Sequence, residues 1–277
     1  MILEYNINDN KRSVEAADGQ HFQFGEDKVL SNEFSDITYT QDWYPEGYTS
    51  LPFLWNEEFS DLKEGITQTI KRISEDVVGK PLDGFTLENY HKYVTLNEQH
   101  FKVVSKTRDL YSSHFGFPIK DMIPKFEALL GFKLTDRIPD TDLDEHIIVR
   151  INRPKSNDYN PPHKDMYEGY DNDKNFQFLN FWVPVAGVTD KSSLPIAPKS
   201  HRISENKILR TIDGGKVGSN SYRVVLIKEW DGSSDLVRAK VDYGQVLMFS
   251  SHMIHGLAIN EEEDVTRVAL EFRLFKK

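Results

Sequence analysis

Cysteine is absent from the 277 residues. That excludes disulfides, thiolate nucleophiles, iron–sulfur clusters and Cys-ligated zinc, so a bound metal must be held by His, Asp or Glu. Positive charge is scarce: 34 Lys and Arg stand against 44 Asp and Glu, a net charge of −10. Nucleic-acid binders carry a basic face, so this balance points away from a nucleic-acid partner. No stretch approaches the ~18 consecutive apolar residues of a membrane span. The opening MILEYNINDNKRSVEAADG has no signal-peptide h-region and no small-residue cleavage site. The expected setting is cytoplasmic, without a membrane partner; oligomeric state is not legible in the sequence. No fixed-period repeat or low-complexity tract is visible.

What is present is a globular composition, with 38% hydrophobic and 12% aromatic residues. To about Phe53 the chain reads as loops with one or two short strands. Phe59, Leu62, Ile66, Ile70, Ile73 and Val77 then recur at helical spacing, with Asn56 as N-cap and Gly79 and Pro81 as the stop. A second helix is expected from near Thr86, with Tyr90, Val94, Phe101, Val104 and Tyr111 on one face. A third covers Met122–Leu130. From Glu145 the texture changes to Val-, Ile- and Phe-rich runs separated by turns: IIVRIN, FQFLNFWVPV, SLPIAP, SYRVVLIKEW, LVRAKV, QVLMFSS and TRVALEFRLF. These predict an antiparallel sandwich or barrel. The expectation is one α+β domain over 1–277, in which the helices and loops of 1–144 pack on one face of the β-rich 145–277.

Of the nine histidines, His163 stands out because Asp165 follows two positions on, in PPHKDMYEG. In extended chain both side chains point the same way while Lys164 faces away. A second histidine far downstream, His255 in SSHMIHGLAIN, completes a set of two imidazoles and one carboxylate. His252 competes for that place; the position directly before Gly256 favours His255. Such a facial set leaves open positions on a metal and suits non-haem Fe(II) oxygenases. Arg267 follows at the start of the last strand, a planar cation suited to the far carboxylate of a chelating 2-oxoacid. Arg273 shares its face and competes with it, although roughly 20 Å of strand separates them at ~3.3 Å per residue.

These residues resemble the phytanoyl-CoA hydroxylase-like family of Fe(II)/2-oxoglutarate dioxygenases. The likeness runs from about Ile147 to Phe275 through HKD, SLPIAPKSH and HGLAIN, ending at TRVALEFR. It implies a double-stranded β-helix (jelly-roll) core, Fe(II) held by His163, Asp165 and His255, and 2-oxoglutarate clamped by Arg267. It further implies Asn152 at the C1-carboxylate end of 2-oxoglutarate, Asn180 as a second co-substrate contact, and Arg150 toward the prime substrate. Lys199 stands where the family turn has Gly, and Leu257 where some members have a co-substrate-binding Ser. The implied activity uses O2 to hydroxylate an unactivated C–H bond of a small polar metabolite, releasing succinate and CO2. The intact Asp165 disfavours halogenation. The alternatives are a cupin-like metal enzyme that does not use 2-oxoglutarate, and a catalytically silent small-molecule-binding jelly roll.

Overall fold

The computed structural model describes residues 1–167, 177–217 and 220–277. Two β-layers face each other. The larger sheet runs Tyr48–Pro52, Gln245–Ser250, Phe178–Ala186, Arg267–Lys276, with Ile148–Asn152 and Leu134–Thr135 both on the far side of Arg267–Lys276. All of these pairings are antiparallel.

The second layer joins two smaller sheets through single bridges. One sheet is Asn10–Glu15, Ile2–Ile7, Asp235–Arg238 and Pro195–Ile196; the other is Ile227–Trp230, Ile208–Thr211 and Phe22–Phe24. Between them, Ile196 bridges His255 and His255 bridges His163, while the Ile227 amide donates to the Pro162 carbonyl at 2.9 Å. Apart from the hairpin of Ile2–Ile7 with Asn10–Glu15, strands adjacent here lie apart in the chain, and the chain alternates between the layers. This is the wound topology of a jelly roll.

Four helices precede the C-terminal strands. The first, Asn56–Val78, is capped one residue earlier than expected, at Trp55, whose amide donates to Glu58 Oε2. It ends at Gly79, whose φ of 80° is left-handed, as a C-terminal cap requires. The expected second helix is broken into Tyr90–Tyr93 and Asn97–Thr107. Its apolar face is also turned: Phe101 is exposed, whereas His100 is buried. Ile119–Leu130 follows. Leu62, Ile66, Ile70, Val103, Met122 and Phe126 pack on the outer face of the large sheet, against Phe181, Val183, Leu270 and Phe272. The helices therefore cover one face of the sandwich, and the opposite face of that sheet is left for the interior between the layers.

The segment before Phe53 contributes four strands rather than one or two. Leu3, Tyr5 and Ile7 alternate inward and are buried. Ile2–Ile7 pairs in parallel with Asp235–Arg238, a partner more than 200 positions away that no local pattern announces. Among the described residues no helix is long and apolar enough to cross a membrane.

Candidate metal and co-substrate site

His163 and His255 sit on neighbouring segments of the second layer. The amide of each donates to the carbonyl of the other, at 2.9 and 3.0 Å. Residues opposed in this way project side chains to the same face, and the two rings lie 4.4 Å apart between centroids. Gly256 permits the approach. Its φ is 133°, and a Cβ there would fall 2.6 Å from the Pro161 carbonyl oxygen.

Both imidazoles are oriented by the main chain. His163 Nδ1 lies 2.7 Å from the Pro161 oxygen and His255 Nδ1 lies 3.1 Å from the Met253 oxygen. A carbonyl oxygen only accepts, so each Nδ1 carries the proton and each Nε2 presents a lone pair. Asp165 Oδ1 is 3.3 Å from His163 Nε2, and Oδ2 is 3.7 Å from His255 Nε2. Ligand atoms of the three residues all fall within 4.8 Å of one another, and all three residues are buried. Three potential electron-pair donors thus converge, an arrangement that a cation relieves. The chemistry of this set fits Fe(II).

The charges follow the same logic. Burial pushes His255 down to about 4, with Asp165 opposing, so it is neutral and ligand-ready at pH 7. Burial alone would raise the Asp165 carboxyl. The Arg273 guanidinium, then His255 and His163, outweigh it and hold that carboxyl well below the usual range. Arg273 reaches Asp165 Oδ1 at 3.0 Å. His252 points elsewhere: its Nδ1 is 3.5 Å from Asp36 Oδ2, outside the ligand set.

The large sheet supplies the opposite wall. Register places Arg267 across from Asn152, Ala269 across from Arg150 and Pro184, Glu271 across from Trp182, and Arg273 across from Asn180. Arg267 is 1% exposed. Its NH1 donates to Asn152 Oδ1 at 2.5 Å, while its Nε and NH2 have no partner. Burial pushes this guanidinium down to about 10, with Glu271 opposing, so it remains a cation at pH 7. Two unpaired donors of a buried cation are costly unless an anion meets them. Trp182 Nε1 and Asn180 Nδ2, on the same face, are also buried and unpaired, and Arg267 Cζ lies 5.1 Å from the Trp182 ring. Four polar atoms on one wall therefore await a ligand with several acceptors, as a dicarboxylate provides.

The structure brings His163, Asp165 and His255 into one cluster and sets Arg267, Asn152 and Asn180 on the facing wall. Asn152 lies at the Arg267 end. Its Nδ2 donates to the Asp158 carbonyl, so both ends of its amide are engaged. Arg150 Nε donates to Glu271 Oε2 at 2.6 Å, both side chains being about a quarter exposed. Trp182, two residues beyond Asn180 on the same strand, faces the same side by strand alternation. Lys199 adopts a left-handed backbone, φ 68°, of the kind glycine favours. Leu257 is fully buried and offers no side-chain donor.

The family model described as phytanoyl-CoA dioxygenase (PhyH) matches residues 57–267. Similar solved structures include EctD from S. alaskensis with 2-oxoglutarate and 5-hydroxyectoine, at 13% identity, covering 95% of this chain and 86% of that one, with a TM-score of 0.47. EvdO2 from Micromonospora carbonacea var. aurantiaca, complexed with 2-oxoglutarate, is 14% identical and covers 91% of this chain and 94% of its own, also with a TM-score of 0.47. No curated protein matches significantly.

Proposed function

The chain belongs to the phytanoyl-CoA dioxygenase family and is an Fe(II)- and 2-oxoglutarate-dependent oxygenase; we propose that its iron is held by His163, Asp165 and His255 and its 2-oxoglutarate by Arg267. The observation that carries this reading is the pairing of two unmet needs across one interior. Three electron-pair donors converge on one side, and a buried guanidinium with two unpaired nitrogen donors stands on the other.

When bound, iron and 2-oxoglutarate supply the oxidising chemistry, using O2 and releasing succinate and CO2. The chain's own residues position the components. Both His ligands are fixed by their Nδ1 bonds to main-chain carbonyls. Arg267 offers two parallel donors to the distal carboxylate, and Asn152 braces the guanidinium from behind. Trp182 and Asn180 add single donors on the same wall, replacing the hydroxyl that Leu257 lacks. The apolar surroundings of this wall, including Leu247, Phe249 and Ala269, exclude water from the reaction.

The prime substrate is a small polar metabolite hydroxylated at an unactivated carbon. Arg150, with Glu271 beside it, stands on the same wall and remains partly accessible, which supports contact with an anionic or multiply hydroxylated compound. Residues 1–277 act as one domain, since a single apolar cluster joins the helices to the large sheet. A cytoplasmic location agrees with the intracellular supply of ferrous iron and 2-oxoglutarate. The test is succinate formation from 2-oxoglutarate with Fe(II) and ascorbate under air. Iron-dependent succinate that disappears in Arg267→Ala supports the assignment; succinate unaffected by that change contradicts it.

A further inference from the structure

Arg273 stands six residues beyond Arg267 on the same face of the last strand, yet it serves the other end of the site. Its NH2 is 3.0 Å from Asp165 Oδ1, and its Cζ lies 5.2 Å from the Phe178 ring. Asp165 sits in a turn rather than a strand, so ladder pairing does not fix its side chain as it fixes His163 and His255. Among the described residues its carboxylate has three polar neighbours: His163 Nε2, His255 Nε2 and Arg273. Of these three, Arg273 is the one permanent cation, ion-paired to Oδ1 at 3.0 Å.

We propose that Arg273 is a positioning residue for Asp165. It fastens Oδ1 and sets the plane of the carboxylate, leaving Oδ2, the oxygen nearer His255, for the ion. The Phe178 ring beneath the guanidinium limits its swing. The proposal rests on the ligand assignment above. The guanidinium plane suits this task and a lysine ammonium does not, because only the former carries a rigid fork of donors.

Two physical effects of opposite sign make the test decisive. A nearby cation that does nothing else repels a divalent ion, so removing it tightens metal binding. A cation that orients a ligand has the reverse effect on removal, since partners of metal ligands are typically worth ~10–100-fold in affinity. The experiment is titration of the metal-free protein with Co(II), followed by calorimetry and by the visible spectrum of the bound ion, with the melting temperature measured in parallel. Arg273→Met is expected to raise the Co(II) Kd by ~10–100-fold with the fold retained, and Arg273→Lys to recover part of it. Arg273→Gln, judged by the same criterion, serves if the Met variant does not fold. An unchanged or lower Kd in a folded neutral variant overturns the proposal. His163→Ala is the control: its loss of Co(II) binding beside an unchanged Arg273→Met rejects the positioning role alone, whereas retained binding in His163→Ala rejects the ligand assignment itself.

Discussion

His163 and His255 are an antiparallel hydrogen-bonded pair, joined by amide-to-carbonyl contacts of 2.9 and 3.0 Å in both directions. The spacing of the two proposed metal ligands is thus a property of the main chain. It depends on Gly256, because a side chain there would strike the Pro161 carbonyl. Gly256→Ala is expected to force these segments apart and to cost ~1–3 kcal/mol in strain. Co(II) affinity should fall by at least tenfold while far-UV circular dichroism is retained. Wild-type affinity in that variant would mean that the pair tolerates widening.

Asn152 braces Arg267 from the neighbouring strand. Removing the brace leaves the guanidinium with another unpaired donor and more freedom. Asn152→Ala is expected to weaken 2-oxoglutarate binding roughly tenfold, about the ~1.4 kcal/mol expected of one charge-assisted hydrogen bond. Anaerobic titration measures this, and Co(II) affinity in the absence of 2-oxoglutarate should remain unchanged.

Acid should destabilise the metal-free protein well above the carboxylate range. Burial pushes His100, His201, His252 and His255 each down to about 4, so the folded state resists protonation that the unfolded chain accepts near 6.5. The unfolded state therefore binds more protons between these values, and stability falls as pH drops from about 6.5 toward 4. His201 isolates the effect. Its Nε2 donates to the Tyr44 carbonyl at 2.8 Å, and it lies outside the metal cluster. His201→Gln keeps an N–H for that carbonyl and removes the titration. Its melting temperature should fall less steeply than wild type across this window, a difference of up to roughly 3 kcal/mol for one site. Parallel slopes would show that His201 titrates normally.

The sequence carried the site further than it carried the frame around it. His-x-Asp, the late His-Gly and Arg267 are local signatures, although Asp165 lies in a turn rather than on the extended strand that the spacing predicts. Gly256, whose backbone lets the chain pass close to the Pro161 carbonyl, marks His255 rather than His252 in the sequence. The first helix is legible because Leu62, Ile66, Ile70 and Ile73 repeat at helical spacing over about three turns. By contrast, the Asp165–Arg273 contact spans 108 positions and leaves no local trace. His100 was equally hidden. It looks like a rim residue by type, but it is buried because Asp158 at 3.2 Å and the Tyr90 hydroxyl at 3.0 Å satisfy both ring nitrogens. The N-terminal strands are short, and their partners come from the far end of the chain.

The most direct measurement is the visible charge-transfer band that forms when Fe(II) and 2-oxoglutarate are bound together under anaerobic conditions. Wild type should develop it with one iron per chain. His163→Ala and His255→Ala should not, His252→Asn should, and Arg267→Ala should need at least about 30-fold more 2-oxoglutarate, the equivalent of ~2 kcal/mol for truncating one side of a buried charged pair. A band that survives in His255→Ala, or is lost in a folded His252→Asn, would contradict the assignment of the metal site.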